Sequence, residues 1–254
     1  SSAANGTTFF QCVVHDVRGR GFSNSLGMTC IECEAYNCNQ SNTALTGAFH
    51  NTSSGVFVRC IAHDNSGVNT NGFVAGNAGL TYIQGCIADT NGSNGILAQL
   101  LTIVQECECY NNAGNGIHIT SSPNAIIDSC NLVKNSGWGI GSTNSTLAAQ
   151  ILLNNSFGTG TQVNSSGTVQ AGEEYNSTNY ANDTTPWIDP ANGDFRLTVG
   201  NATSNNTGRG TFTQTAASYA GTIGYPDRGA AAASTPVQTY YPPVGTGSLL
   251  VKGV

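Results

Sequence analysis

Two histidines in this chain are each followed directly by an aspartate, His15-Asp16 and His63-Asp64. A lone Asp89, a lone His118 and the run Cys30-Ile31-Glu32-Cys33 complete the residues whose types suggest chemistry. An imidazole beside a carboxylate is either a proton-transfer pair or the start of a metal site. Adjacent residues of a strand point to opposite faces, so neither His-Asp pair is expected to converge on one atom unless a turn begins there. No third and fourth ligand follows at a recognisable spacing, so no metal and no cofactor is expected. Glycosidases flank the scissile bond with two carboxyls about 5 to 9.5 Å apart. Asp64 and Asp89 are the pair to consider for that chemistry, although no sugar-binding groove is evident beside them. His118 is a candidate base without a cationic or metal partner. A single Cys-x-x-Cys is explained by core placement, and neither a Ser/His/Asp elbow nor a phosphate loop is present. His63, Asp64, Asp89 and His118 are therefore catalytic candidates that do not add up to a complete catalytic set.

What must position these residues is a repeat. Cys12, Cys33, Cys60, Cys86, Cys107 and Cys130 recur at intervals of 21, 27, 26, 21 and 23 residues. In the clearest copies an asparagine follows five residues after the cysteine and a Gly-Ile pair a few residues later, as in Cys107 to Ile117. The repeat reaches from about residue 9 to about 170, with Gln150 standing where a seventh cysteine would be. Each copy holds three short strand-like pieces, such as Asn124–Asp128, Cys130–Val133 and Gly139–Gly141, separated by Gly, Asn and Ser. Such pieces bury no face alone, but coiled into a solenoid each pairs in parallel with its copy one rung away. Three columns then face inward: the cysteines, the position two residues later (Val14, Ala35, Ala62, Ala88, Cys109, Leu132, Leu152) and the position after the glycine (Phe22, Phe73, Ile96, Ile117, Ile140). The column five residues after the cysteine (Asn65, Asn91, Asn112, Asn135, Asn155) falls at a corner, where stacked amides can hydrogen-bond from rung to rung.

The outward column three residues after the cysteine reads His15, Tyr36, His63, Asp89, Tyr110, Val133. Rings and a carboxylate in a row can stack on and hydrogen-bond a glycan; a solvated face of strand-favouring aromatics is the plainer account. His15, Tyr36, His63, Asp89 and Tyr110 are the glycan-binding candidates.

Only 9% of the 254 residues are charged, and the net charge of −6 comes without a basic run, so nucleic acid is not an expected partner. No stretch approaches the ~20 apolar residues that span a bilayer. Nine cysteines, six of them in one repeating apolar position, argue for free thiols in a core rather than a disulfide framework, and for folding in a reducing cytoplasm before any extracellular role.

On its cysteine, isoleucine and asparagine columns the chain resembles the right-handed parallel β-helix family. The resemblance implies an all-β, single-stranded parallel β-helix of about seven rungs of three short strands over residues 1–170. That fold hosts polysaccharide lyases and hydrolases, adhesins and viral fibres or spikes. Its pectate-lyase-like members carry a cleft on the strand after the glycine, with acids for calcium and an Arg or Lys base. Here the outward residues of that strand are Ser23, Val74, Leu97, His118 and Gly141, which argues against such a lyase. The segment Thr185 to Leu197, with its Gly-Asp-Phe-Arg-Leu, and the later Asp227-Arg228-Gly229-Ala230 resemble the closing segment of bacterial and phage β-helix proteins. Residues 171–230 are thus expected to cap the last rung through Trp187, Phe195, Leu197, Phe212 and Tyr225. Residues 231–254 read as an extended tail ending in a strand, suited to docking on a neighbour. The expectation is a non-enzymatic structural or adhesive protein of a virion (phage decoration, fibre or spike) or of a cell surface. Its expected partners are other virion or surface proteins through the tail, glycans, and a homo-oligomer such as a trimer. The alternative is a carbohydrate-active enzyme or a glycan-binding module.

Overall fold

A repeat with three strand-sized pieces per copy folds as three sheets wound side by side. The computed structural model describes residues 6–41, 46–76, 78–120, 125–142 and 187–195 in full, and beyond them only the backbone of short strands up to residue 224. Every sheet of the coil is parallel, and each strand pairs with the one three elements further along the chain. The first sheet runs through Thr7–Phe10, Met28–Ile31, Gly55–Val58, Thr81–Gln84, Thr102–Gln105 and Ala125–Asp128. The second runs through Val13–His15, Glu34–Tyr36, Ile61–His63, Ile87–Asp89, Glu108–Tyr110 and Asn131–Val133. The third takes Phe22–Asn24, Thr46–Asn51, Thr70–Val74, Ile96–Ala98, Ile117–Ile119 and Ile140–Ser142. These make six complete turns. Strands Ile151–Leu153, Ser156–Phe157 and Val163–Ser165 continue the three sheets, and Glu174–Tyr175 and Thr178–Asn179 extend the first two. Leu152, expected in the Leu132 column, pairs instead with Ile127 in the first sheet, and Phe157 follows Leu132.

The core is a set of stacks one strand spacing apart, about 4.8 Å. Inside the first sheet Cys30, Phe57, Ile83, Val104 and Ile127 are in register; inside the second, Ala35, Ala62, Ala88, Cys109 and Leu132; all are fully buried. The third sheet adds Phe22, Phe49 and Phe73, whose rings stack with centroids 4.9 and 4.8 Å apart, then Ile96, Ile117 and Ile140. Phe49 escapes the sequence reading because the second rung carries a longer excursion before it. The cysteine column is buried from Cys33 to Cys130, only Cys12 on the first rung is half-exposed, and all nine thiols are free.

Two corners per turn are made by residues in the left-handed backbone region. The residue before each column cysteine (Gln11, Glu32, Arg59, Glu106, Ser129) has φ between 50° and 57°, and Gly85 in the same place has 61°. The residue four after the cysteine (Asp16, Asn37, Asp64, Thr90, Asn111, Lys134) has φ between 48° and 56°. That conformation costs about 1 to 2 kcal/mol for most side chains, least for Asn and Asp, which hold four of the six positions in the second set. The glycine before the third strand is needed for close approach instead, since a Cβ at Gly72, Gly95 or Gly116 would meet the carbonyl of the next rung at 2.7, 2.7 and 2.8 Å.

Asparagine then fills the corner. Asn65 Nδ2 donates to Asn91 Oδ1 (2.8 Å), Asn91 to Asn112 (2.9 Å) and Asn112 to Asn135 (2.8 Å). The second amide hydrogen of each goes to a backbone carbonyl of the preceding rung, on Ala35, Ala62, Ala88 and Cys109. Cys38 occupies the ladder position on the second rung, and its backbone N–H donates to Asn65 Oδ1. Asn155, expected to extend the ladder, lies outside the described residues. At the next corner a shorter asparagine series is present: Asn94 donates to Asn71 (2.9 Å), and the backbone N–H groups of Asn115 and Trp138 donate to Asn94 and Asn115.

Of residues 171–230, expected to cap the last rung, 187–195 are described in full. Trp187–Asp189 and Asp194–Leu197 form an antiparallel pair closed by a turn at Pro190–Asn192, with Gly193 at φ 80°. Trp187 and Phe195 pack edge-on against Tyr110 and against each other, burying Tyr110 and Val133 on the outward face of the second sheet. The hairpin therefore covers a side of the coil. The side chains of Leu197, Phe212 and Tyr225 and the whole tail 231–254 lie outside the described residues.

Candidate functional site

The outward face of the second sheet carries most of the residues singled out for chemistry. Register places His15, Tyr36, His63, Asp89, Tyr110 and Val133 in one column, one per rung. The outer neighbours two residues earlier are Val13, Glu34, Ile61, Ile87, Glu108 and Asn131. His15 and Tyr36 stack at 4.9 Å with planes 4° apart, and Tyr36 and His63 at 5.0 Å and 23°. Tyr36 is thus sandwiched, and neither of its faces is open to a sugar ring, contrary to its expected stacking role. Tyr110, likewise expected to face a partner, is buried beneath the Trp187 hairpin. Burial, followed by Asp89 and Asp189, raises its phenol pKa.

In both His-Asp pairs the two side chains meet each other, the case allowed for where a turn begins at the pair. His63 Nδ1 lies 2.8 Å from Asp64 Oδ2 and His15 Nδ1 lies 2.7 Å from Asp16 Oδ2. The cause is the left-handed backbone at Asp16 and Asp64, which ends the strand at the histidine and swings the next side chain back beside it. His63 Nε2 meets Glu34 Oε1 at 2.9 Å on the preceding rung, so both ring nitrogens are held by carboxylates. Burial disfavours the charged ring, but the hydrogen bonds to Asp64 and Glu34 outweigh it and raise the His63 pKa. Asp16 is lowered by its hydrogen bonds from His15 and then Asn37.

Asp89 follows His63 in the column. Burial pushes its carboxyl up to about 6 against the hydrogen bond from Thr90 Oγ1 (2.6 Å), with Asp64 adding to the rise and His63 opposing it. Asp89 therefore exchanges a proton near neutrality and sits one rung from an imidazole clamped by two acids. Among the described residues no three His, Cys, Asp or Glu side chains converge to hold a metal ion.

His118 is elsewhere, on the outward side of the third sheet between Leu97 and Gly141. Burial lowers its pKa by disfavouring the charged ring, and it is not part of the His63 cluster. His50, hidden in the sequence because the long second rung displaces it from the column, lies on the same side between Ser23 and Val74. Burial and then the Arg20 charge bring it down to about 4, and its Nδ1 has no partner. Glu34 is hidden too; only the rung-to-rung register shows that it reaches His63. Arg59 and Glu32 form an ion pair at 2.6 Å on the exposed corner.

Residues 1–172 match the family model described as a right handed beta helix region. With three parallel sheets wound through six turns over that span, the chain belongs to the right-handed β-helix family. No characterised protein and no solved structure matched the chain when compared with it.

Proposed function

We propose that this chain is a non-enzymatic β-helix with a structural or adhesive role, of the kind that decorates or forms fibres and spikes on a virion, or that stands on a cell surface. The observation that carries the reading is the closure of the His63 cluster: Nδ1 and Nε2 are both taken by carboxylates of the protein, and Tyr36 is stacked on the ring. A general base needs a free lone pair within reach of its substrate, and an imidazolium between two acids has none. The cluster is instead a charged strut that ties the second rung to the third. The column of interior thiols fits folding in a reducing compartment before assembly. Residues 231–254 are the proposed docking segment toward other virion or surface proteins, or toward further copies in a homo-oligomer such as a trimer.

A second reading, a carbohydrate-active enzyme, is favoured by one observation, the Asp89 carboxyl that holds a proton up to about pH 6, as a glycosidase acid must. A panel of neutral and acidic polysaccharides incubated with the purified chain separates the two. The structural reading expects no new reducing or unsaturated ends; release that disappears in Asp89→Asn establishes the enzyme instead. Removing residues 231–254 is expected to abolish attachment or assembly, measured by sedimentation, without unfolding the coil.

A further inference from the structure

Four cysteines stand in single file inside the coil. We propose that Cys86 and Cys107 form a binding site for one soft monovalent cation, copper(I) or its silver(I) equivalent, held linearly between two thiolate sulfurs of adjacent rungs. Cys60, Cys86, Cys107 and Cys130 are buried and lie in one register, since the backbone N–H groups of Ile87, Glu108 and Asn131 donate to the carbonyls of Cys60, Cys86 and Cys107, each at 2.9 Å. Their side chains share one orientation as well. Each thiol points to the carbonyl two residues earlier, on Val58 at 3.5 Å, Gln84 at 3.4 Å, Gln105 at 3.1 Å and Asp128 at 3.4 Å. A column repeated in one orientation has the spacing of its strands, so neighbouring sulfurs lie about 4.8 Å apart. The Cys107 sulfur accordingly interacts with the thiols on either side of it, those of Cys86 and Cys130.

That spacing selects the metal. A metal–thiolate bond is about 2.3 Å long, so a cation held linearly spans about 4.6 Å from sulfur to sulfur. Zinc instead takes four ligands in a tetrahedron, and sulfurs in single file do not surround a point. Thiolates select copper(I) among the biological metals, and two sulfurs in line satisfy it. The sulfurs are also prepared as ligands. Cys86 Sγ accepts the backbone N–H of Cys60 at 3.4 Å, and Cys107 Sγ accepts that of Cys86. Such hydrogen bonds hold the charge and the direction of a metal-bound thiolate. This pair is favoured over its neighbours on two counts. Its 21-residue interval is the shortest between buried column cysteines, so no excursion separates the rungs. At the corner outside it, Gly85 contributes no side chain, and the Glu106 carboxyl, within electrostatic reach of Asp128, draws a cation toward the thinnest part of the wall.

Loading needs no oxidant. Copper(I) passes from a complex with two small thiolates: two metal–sulfur bonds break and two form, each small thiolate leaves with the proton of one cysteine, and the metal keeps its oxidation state. The bound centre carries one negative charge spread over two sulfurs. It ties the fourth rung to the fifth through the core, where a bare thiolate would be costly and a metal-bound one is not.

Equilibration of the reduced native chain with an equivalent of copper(I) and reduced glutathione in the absence of oxygen, followed by gel filtration, metal analysis and X-ray absorption, tests the site. One copper per chain, a shell of two sulfurs at about 2.3 Å and a thermal midpoint above that of the metal-free chain are expected. Silver(I) should be retained in the same way, and zinc(II) should elute unbound. Cys86→Ala and Cys107→Ala are each expected to lose the ion. Cys109→Ala, which puts alanine into a stack that already holds Ala35, Ala62 and Ala88, should keep it. A chain that elutes without copper, a shell of three or four sulfurs, or copper retained by folded Cys86→Ala and lost by Cys60→Ala or Cys130→Ala overturns the proposal. The sulfur shell of the unsubstituted chain decides the question even where an alanine variant does not fold.

Discussion

The outward face of the second sheet divides into two surfaces built from one column. On the first three rungs His15, Tyr36 and His63 stack in the open, tied by acids at both ends of the imidazole. On the fifth and sixth, Tyr110 and Val133 occupy the same register and are buried under Trp187 and Phe195. Nothing in the repeat separates them, since a tyrosine serves both halves. The difference is imposed by a hairpin from outside the repeat, and Asp89 stands at the border, where its carboxyl is raised but still reaches solvent. In a solenoid the repeat decides which residues face outward, and the non-repeating segments decide which of those remain available.

The largest perturbation of this division is Trp187→Ala. Loss of a buried indole wedged between Tyr110 and Phe195 is expected to destabilise the hairpin by about 3 to 5 kcal/mol, as for other buried Trp truncations. Denaturant unfolding measures the loss, and protection of the amides of Glu108–Tyr110 from hydrogen exchange should fall while that of Glu34–Tyr36 stays the same. A uniform fall over both strands would show that the two surfaces are one cooperative unit.

A smaller effect is expected at the border. Because the folded pKa of Asp89 lies above that of the unfolded chain, its contribution to stability is complete below about pH 4 and lost as the pH rises through about 6. His63, also raised, acts in the same sense, with stability present below its ordinary value near 6.5 and lost as the pH climbs past its folded value. Asp89→Asn should therefore leave stability at pH 4 unchanged and raise it at pH 7.5. The gain is on the order of 1 to 2 kcal/mol, allowing for the solvent that still reaches the group. Thermal midpoints at the two pH values read this directly, and a variant equally stabilised at both would assign the effect to packing instead of charge. Arg59→Ala, on the exposed corner, should cost less than about 1 kcal/mol, and half a molar salt should erase most of it.

Much of the coil is legible in the sequence because its stacks reuse a few residue types at a near-constant interval, so the Cys33 to Cys130 and Asn65 to Asn135 columns can be aligned by eye. Phe49 and His50 are hidden by the long second rung, which breaks the interval without breaking the register. The asparagine series at Asn71, Asn94 and Asn115 is masked by the abundance of the residue. The convergence of His63 with Asp64 is concealed because strand alternation stops at the histidine, one residue earlier than the pattern suggests. A signal is present, since Asp16, Asn37, Asp64 and Asn111 share that position and are the residues that best tolerate a left-handed backbone. The hairpin over Tyr110 has no such signal: a contact between a repeat and a single distant segment leaves no period to detect.

The asparagine corner has a consequence in time as well as in space. Its amide-to-amide bonds all run one way, from Asn65 to Asn91 to Asn112 to Asn135, so one hydrogen of each of the first three amides is given toward the C-terminal end and waits for an oxygen that the chain has not yet laid down. A coil growing behind the ribosome would carry one unfilled donor at its advancing front, satisfied only when the next rung arrives. The dipoles, once aligned, reinforce one another along the row. A gap at Asn91 or Asn112 then interrupts a directional zipper in mid-stroke, whereas a gap at its last tooth merely shortens it.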